Sequence, residues 1–172
     1  MISPSVKFKT RISPLKHLKM DYLDVPKSVI KKLGGTVNQR LLCTVNNAVN
    51  WQCGLVALGN GHAYISLNKK ILKQLGVTTG AMMSVSLAKD TSKYGMKMPE
   101  ELKSLLEQDS EGRRRFHLLA AGKQRYIIYY VSQVKTSQLR IDRAIRLIEN
   151  LKHTPEGKES FDQILAIKNF GS

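Results

Sequence analysis

One stretch of this chain occurs twice, and that repeat constrains the fold more than any other feature. Residues 25–45 read VPKSVIKKLGGTVNQRLLCTV and residues 67–87 read LNKKILKQLGVTTGAMMSVSL. A shift of 42 positions pairs Lys27 with Lys69, Lys31 with Lys73, Leu33 with Leu75, Gly34 with Gly76 and Thr36 with Thr78. Apolar character repeats where the letters differ. Val29, Ile30 and Leu33 answer to Ile71, Leu72 and Leu75, while Leu41, Cys43 and Val45 answer to Met83, Val85 and Leu87. Two copies of one supersecondary unit, each unable to bury its apolar face alone, are expected to pack against one another.

The unit can be read residue by residue. Val6, Phe8 and Ile12 alternate with Lys7, Lys9 and Arg11, which predicts a strand with an apolar inner face and a cationic outer one. A second strand is expected over 20–25, and Pro26 then suits the first position of a short helix ending at Gly34. A third strand follows over 40–46. The second copy repeats this: a turn at Asn46-Asn47, a strand over 49–58 with Trp51, Cys53 and Leu55 on one face, and a tight turn at Gly59-Asn60-Gly61. Next come a strand ending at Leu67, a helix capped by Asn68, and a strand over 82–89. Shifting by 42 carries 20–25 onto 62–67 and 40–45 onto 82–87, and brings 5–12 next to 49–58. Six strands in two equal halves close most simply into one barrel about a pseudo-twofold axis, which leaves no edges exposed.

Beyond a polar connector at 88–98 the period changes from two to about 3.6. Pro99 opens a helix with Glu100 and Glu101 in its first turn and Leu102, Leu105 and Leu106 along its buried side. Asp109 or Ser110 is positioned to cap a second helix carrying Arg113, Arg114, Arg115, Phe116 and Leu119, and Gly122 breaks the chain. The run KQRYIIYYVSQVK predicts a third helix. Residues 137–152 predict a fourth, with Ile141, Ala144, Ile145, Ile148 and Leu151 on one side and an Asp142–Arg146 pair on its surface. The tail beyond Pro155 carries only the weakly amphipathic segment FDQILAIKNF.

Two resemblances follow. The order strand, P/N-x-x-φ-φ-x-x-LG, strand resembles the swapped-hairpin unit of AbrB/MazE-type double-split barrels, with both units supplied by one chain. Asn38-Gln39 and Gly80-Ala81 stand where those domains commonly carry Gly-Asp. The run MPEEL…RFHLLAAGKQRYIIYYVSQVK…LRIDRAIRLIENL resembles the C-terminal helical part of the YdeI/OmpD-associated, or bacteriocin-protection, family. There it often follows a small barrel domain of unknown function, which the first half fits through TVNNAVNWQCGLVALGNGHAYISLNKKILKQLG. Leu139-Arg140 replaces the Thr-Arg of many members, so Arg140 receives no family role. The resemblance implies a link to stress or bacteriocin resistance and no established reaction.

The expectation is therefore an α+β protein. A six-stranded closed double-split β-barrel of two ββαβ repeats (1–92) precedes a C-terminal region of three to four helices (97–152), with the tail at 153–172 left open. The longest apolar run, 126–131, falls far below the ~18–20 residues that cross a bilayer. The segment MISPSVKFKTRI lacks the apolar core of a signal peptide, so a cytoplasmic location is expected.

Charge carries the functional reading. The formal net charge is +15, and residues 1–93 hold 14 Lys/Arg against three acids (Asp21, Asp24, Asp90). Lys7, Lys9 and Arg11 project from one strand face at intervals of roughly 6.6 Å. Lys27/Lys31 and Lys69/Lys73 are like-charged i,i+4 pairs, each costing a few tenths of a kcal/mol on folding. These seven residues are the candidate nucleic-acid or polyanion contacts, in which phosphate contact releases counterions. The competing explanation is an exposed basic surface that serves only solubility. Lys123, Arg125, Arg140 and Arg143 form a second, weaker candidate area. Arg113-Arg114-Arg115 cannot face one way on a helix and reads as a solvated turn around Phe116.

Catalytic signals are missing: no GxSxG, P-loop, HExxH or dinucleotide fingerprint occurs. The reading leans away from an enzyme, and no cofactor or metal is expected. Cys43 and Cys53 lie ten apart on the apolar side of their strands and read as buried free thiols. A protein partner competes with the polyanion. A small-molecule or enzymatic site between barrel and helices is the remaining alternative, and the oligomeric state stays open.

Overall fold

The computed structural model of the chain describes residues 4–165. The chain divides into two compact units, Met1–Thr91 and Ser92–Ser172. Among the described residues, no helix is long and apolar enough to cross a membrane.

The first unit contains β1 (Val6–Leu15), β2 (Met20–Val25), α1 (Lys27–Lys32), β3 (Arg40–Val45), β4 (Val49–Gly54), β5 (Val56–Gly59), β6 (His62–Leu67), α2 (Lys69–Leu75) and β7 (Met82–Lys89). Its strands form one antiparallel sheet in the order β4-β3-β7-β1-β2-β6-β5. Alternation sets the sheet's faces: Leu23, Val25, Leu41, Cys43, Val45, Ala63, Ile65, Leu67, Met83, Val85 and Leu87 all point into one core.

A closed six-stranded barrel does not form. The strand expected over 49–58 is interrupted at Leu55, whose side chain turns inward and is buried. Its first part pairs with β3 and its second with β6, so the sheet has seven strands curled into a half-barrel. The corresponding strand β1 stays continuous across the same corner, pairing with β7 over Val6–Arg11 and with β2 over Ile12–Leu15. Gly54, just before the break, removes the side chain that holds a strand straight.

The duplication is visible in the register. Phe8 pairs with Val85 as Trp51 pairs with Cys43, and Ser13 pairs with Tyr22 as Val56 pairs with Tyr64. The first strand of each repeat is thus offset by 43 residues and the remainder by 42. The extra residue lies in the connection between β1 and β2, where a 3-10 turn (Lys16–Leu18) and left-handed Lys19 take the place of Gly59-Asn60-Gly61. Tyr22 and Tyr64, equivalent under the repeat, meet edge to face at 5.6 Å between ring centroids.

Helices of six and seven residues do not persist in water unaided. Burial of Val29, Ile30 and Leu33 holds α1 down, and burial of Ile71 holds α2. Asn68 caps α2, accepting a 2.8 Å hydrogen bond from the Ile71 amide. Pro26 is the N-cap of α1 rather than its first helical residue and offers no side-chain cap. Both thiols are free: Cys43 is buried and Cys53 half-buried. The hydrogen bond with Cys53, followed by burial, pushes the Cys43 thiol well above its ordinary range and leaves it unreactive.

Among the described residues the second unit holds the upper number of expected helices, α3 (Glu100–Gln108), α4 (Ser110–Leu118), α5 (Ala121–Ser132) and α6 (Ser137–His153), and the tail, left open by the sequence, adds α7 (Phe161–Leu165). Asp109 caps α4 through the Gly112 amide (2.8 Å), and Thr136 caps α6 through the Leu139 amide (3.3 Å). Gly122 does not break the chain; it lies inside the first turn of α5, and the break falls at Leu119-Ala120. Leu102, Phe116, Ile127, Ile128, Ala144, Leu147, Ile148 and Leu151 make the core.

The buried stripe of α6 is rotated from the expected one. Leu147 is inside, whereas Ile141 and Ile145 line an open groove of about 450 Å3 between α3 and α6. Asp142 accepts a hydrogen bond from Gln138 (2.9 Å) in place of the expected pairing with Arg146. The tail is docked as far as α7: Ile164 is buried, its carbonyl accepts from Asn150 (2.9 Å), and Phe161 packs on Tyr126. Residues 166–170 of the amphipathic tail segment lie outside the described residues.

Candidate functional site

The outer face of the sheet unit is built by the same alternation that builds its core. Because Phe8, Thr10 and Ile12 face inward, Lys7, Lys9 and Arg11 face out. The ladder extends this row across the sheet: Lys7 lies opposite Ser86, Ser86 opposite Thr44 and Thr44 opposite Asn50. Lys9 lies opposite Ser84, whose amide donates to the Asn46 side chain (3.0 Å). The Asn46-Asn47 turn, left-handed at both residues, overhangs this edge. Lys7, Phe8, Lys9, Asn47, Ser84, Val85 and Ser86 line a shallow cleft of about 290 Å3. Arg11 continues the row, with Nη1 donating to the Gly80 carbonyl at 2.8 Å.

The helix lysines lie elsewhere. Lys27 and Lys31 line a cleft of about 540 Å3 with Ile30, Gly35, Thr36, Val37, Ala57, Gly59, Gly61 and His62. The Lys27 stem lies against the hairpin turn: a Cβ at Gly61 would sit 2.9 Å from Lys27 Cδ, and Gly61 has φ +78°. His62 Nδ1 is 3.0 Å from both carboxylate oxygens of Asp24, which faces it from the neighbouring strand. Lys69 and Lys73 occupy the equivalent surface of α2. The seven candidate residues therefore fall into three groups, the β1 row, the α1 cleft and the α2 surface. Among the described residues Lys7, Lys9, Arg11, Lys27, Lys31, Lys69 and Lys73 make no ion pair.

The second basic area is engaged inside its own unit. Arg140 binds Glu101 (2.9 Å) and donates to the carbonyls of Val134 (3.2 Å) and Lys135 (2.9 Å), joining α3, α6 and the end of α5. Hydrogen bonds from Arg140, from the Glu101 amide and from Ser137 draw the Glu101 carboxyl down to about 2. Arg143 donates to the Tyr130 carbonyl (2.8 Å) and stacks on the Tyr130 ring. Lys123 donates to the Glu159 carbonyl. Arg125 is half-buried.

The arginine triplet is not a solvated turn. Arg114 bridges Glu111 and Glu156, while Arg115 is only 4% exposed. Arg115 donates to the carbonyls of Lys152 (3.2 Å) and Thr154 (2.5 Å) and to Glu159 (3.1 Å). Burial raises the Glu159 carboxyl, but hydrogen bonds from backbone amides and from Arg115 outweigh it, so the group ends below its ordinary value.

The Asp24–His62 pair is the element that motif reading missed. The two residues are 38 apart with no local spacing to mark them. One signal was present: both occupy outward positions of strands that the repeat places about a common axis.

A half-barrel sheet of two ββαβ copies, followed by a helical unit in which Arg114, Arg115, Arg140 and Lys152 are ion-paired internally, defines a two-unit α+β protein. Residues 8–87 match the model of a domain of unknown function (DUF1905), and residues 95–154 match the model described as bacteriocin-protection, YdeI or OmpD-associated. The chain belongs to this YdeI/OmpD-associated, bacteriocin-protection family. Comparison with curated proteins finds no match.

Proposed function

We propose that the protein is a non-enzymatic binding module acting in bacteriocin or stress protection, and that its outer sheet face holds nucleic acid or a similar polyanion weakly and without sequence preference. One observation carries this reading: Lys7, Lys9 and Arg11 alternate along β1 with no carboxylate partner among the described residues, beside a floor of Ser84, Ser86, Thr44 and Asn50. Ammonium groups beside hydroxyl and amide groups suit phosphate oxygens, which need positive charge and hydrogen-bond donors but no base-specific geometry. The lysine pairs of α1 and α2 extend the positive field around the sheet unit.

The test is anisotropy of a labelled duplex across a salt series. The logarithm of the association constant should fall linearly with the logarithm of salt, with a slope of about −0.9 per phosphate contacted. Replacing Lys7, Lys9 and Arg11 by Gln should flatten that slope. Retention on DNA-cellulose no better than that of a neutral protein of equal size rules the reading out. A protein partner is the competing reading, favoured by the open apolar groove containing Ile141 and Ile145; it predicts a complex that survives salt concentrations that strip nucleic acid.

A further inference from the structure

The cleft beside α1 differs from every other basic surface of the sheet unit in containing a hydrogen-bonded histidine and carboxylate. We propose that it binds a compact dianion of the phosphate-monoester class, held by Lys27, Lys31 and protonated His62, with Asp24 as the residue that positions the imidazole. The inference goes beyond the polyanion reading and does not rest on duplex binding, although it shares two lysines with it.

Four observations support it. First, Asp24 sits 3.0 Å from His62 Nδ1 through both oxygens, which assigns Nδ1 as the donor and leaves Nε2 for the cleft that His62 lines. Second, the Lys27 stem is packed over Gly61, so little side-chain freedom is lost when its ammonium group meets a ligand. Third, Lys31 lies one turn from Lys27 on the same side of α1, and an anion between them converts a mutual repulsion into a gain. Fourth, about 540 Å3 is more than a bare anion needs, and Ile30, Val37 and Ala57 supply apolar lining for the organic part of a phosphorylated small molecule.

The repeat provides an internal control. Shifting by 42 places Met20 where His62 stands and Ser66 where Asp24 stands. The α2 side therefore has matching lysines, Lys69 and Lys73, without the histidine and carboxylate. If lysines alone made the site, the two sides would bind alike.

The charged and titratable groups sharing this face with His62 are Asp24 and Tyr22 on β2, Tyr64 on its own strand, and Lys27 and Lys31 on α1; the β5–β6 hairpin brings none. The full chain is titrated with sulfate and with inorganic phosphate at constant ionic strength, at about pH 5.5 and about pH 8.5, either side of ordinary imidazole titration, following the imidazole resonances of His62. Sulfate stays a dianion throughout, so any change in its affinity belongs to the protein.

Saturable shifts are expected, with sulfate binding about tenfold tighter at the lower pH, the worth of one charge-assisted hydrogen bond. Lys27→Met, which keeps the stem over Gly61, should lose about tenfold. His62→Gln should abolish the pH dependence, and Lys69→Met should change nothing. The absence of saturation, equal losses in Lys27→Met and Lys69→Met, or a pH dependence that survives His62→Gln each overturn the proposal. The Lys7, Lys9 and Arg11 triple variant should keep its sulfate affinity while losing its duplex affinity; if both disappear together, the cleft is not a separate site.

Discussion

The two units handle positive charge in opposite ways. In the helical unit Arg114, Arg115, Arg140 and Lys152 each reach a carboxylate, with nitrogen–oxygen separations of 2.9 Å at Glu101 and 2.8 Å at Asp109. In the sheet unit the outward lysines reach none among the described residues. A guanidinium buried against Glu159 and two carbonyls is a part of the architecture, whereas a lysine on an open strand face is a charge available to something else. The difference teaches that net charge alone does not locate a binding surface. The helical unit is also basic, yet its best-placed arginines are already engaged.

The most damaging single change should fall on the paired side. Arg115→Ala leaves Glu159 buried without its partner and frees two carbonyls, which should cost about 3–5 kcal/mol and lower the Tm of the helical unit. The matching truncation Lys9→Ala in the sheet unit should stay within about 0.5 kcal/mol. Equal effects in the two variants break the contrast.

Next in size is Gly112→Ala. A Cβ there would lie 2.5 Å from Ile148 Cγ2 and 2.7 Å from Asp109 Oδ2, so α4 must move off α6. Overpacking of this kind costs about 1–3 kcal/mol, which denaturant titration would measure. An unchanged midpoint would mean that the two helices tolerate separation.

Acid should separate the units. Glu101, Asp109, Glu111 and Glu159 all have carboxyls drawn below their ordinary values: Glu101, Asp109 and Glu111 chiefly through hydrogen bonds from Arg140, Lys152 and Arg114, and Glu159 through bonds that outweigh its burial. A group whose folded value is depressed contributes stability above its unfolded value and loses it as pH falls toward the folded one. For Glu101 the window runs from 4.5 down to about 2. Trp51 is the sole tryptophan and lies in β4, so its fluorescence reports the sheet unit alone. Helical circular dichroism should decline within that window while the Trp51 emission holds. Simultaneous loss of both signals would show that the units do not differ as described.

The smallest effect is the most diagnostic of surplus charge. Lys31→Glu removes the repulsion with Lys27 but puts a carboxylate in the last turn of α1, against the helix dipole, so the two effects should offset to within about 0.5 kcal/mol while the anion cleft loses affinity. A loss beyond about 1 kcal/mol, more than the dipole accounts for, would mean that Lys31 makes a contact the geometry does not reveal.

How much of this was legible depends on how far apart the causal residues lie in sequence. Lys7, Lys9 and Arg11 could be placed on an outer strand face because the evidence is local alternation. The Asn68 and Asp109 caps were readable for the same reason, each bonding an amide three residues on. Arg115 was misread because its acceptors stand 37 to 44 residues away, at the end of α6 and in the tail beyond it, whose docking has no periodic signal. The closed barrel failed at one position. A 42-residue shift cannot show that the first strand is offset by 43, nor that Gly54 allows a break at Leu55 where Arg11 and Ile12 run straight through. The rotation of α6 was hidden because Ile141, Ile145 and Leu147 are equally apolar, and only packing against α3 and α5 decides which are covered.

The fused duplication has a consequence for how such a fold can change. In a dimer of identical half-chains every substitution appears on both sides of the axis, and the Tyr22–Tyr64 contact would join two copies of one residue. Once the halves share a polypeptide, each side can be altered while the other is left as it was. His62 and Asp24 beside α1, where the other copy carries Met20 and Ser66, are that freedom in use: the two ends of one symmetry now hold different chemistry.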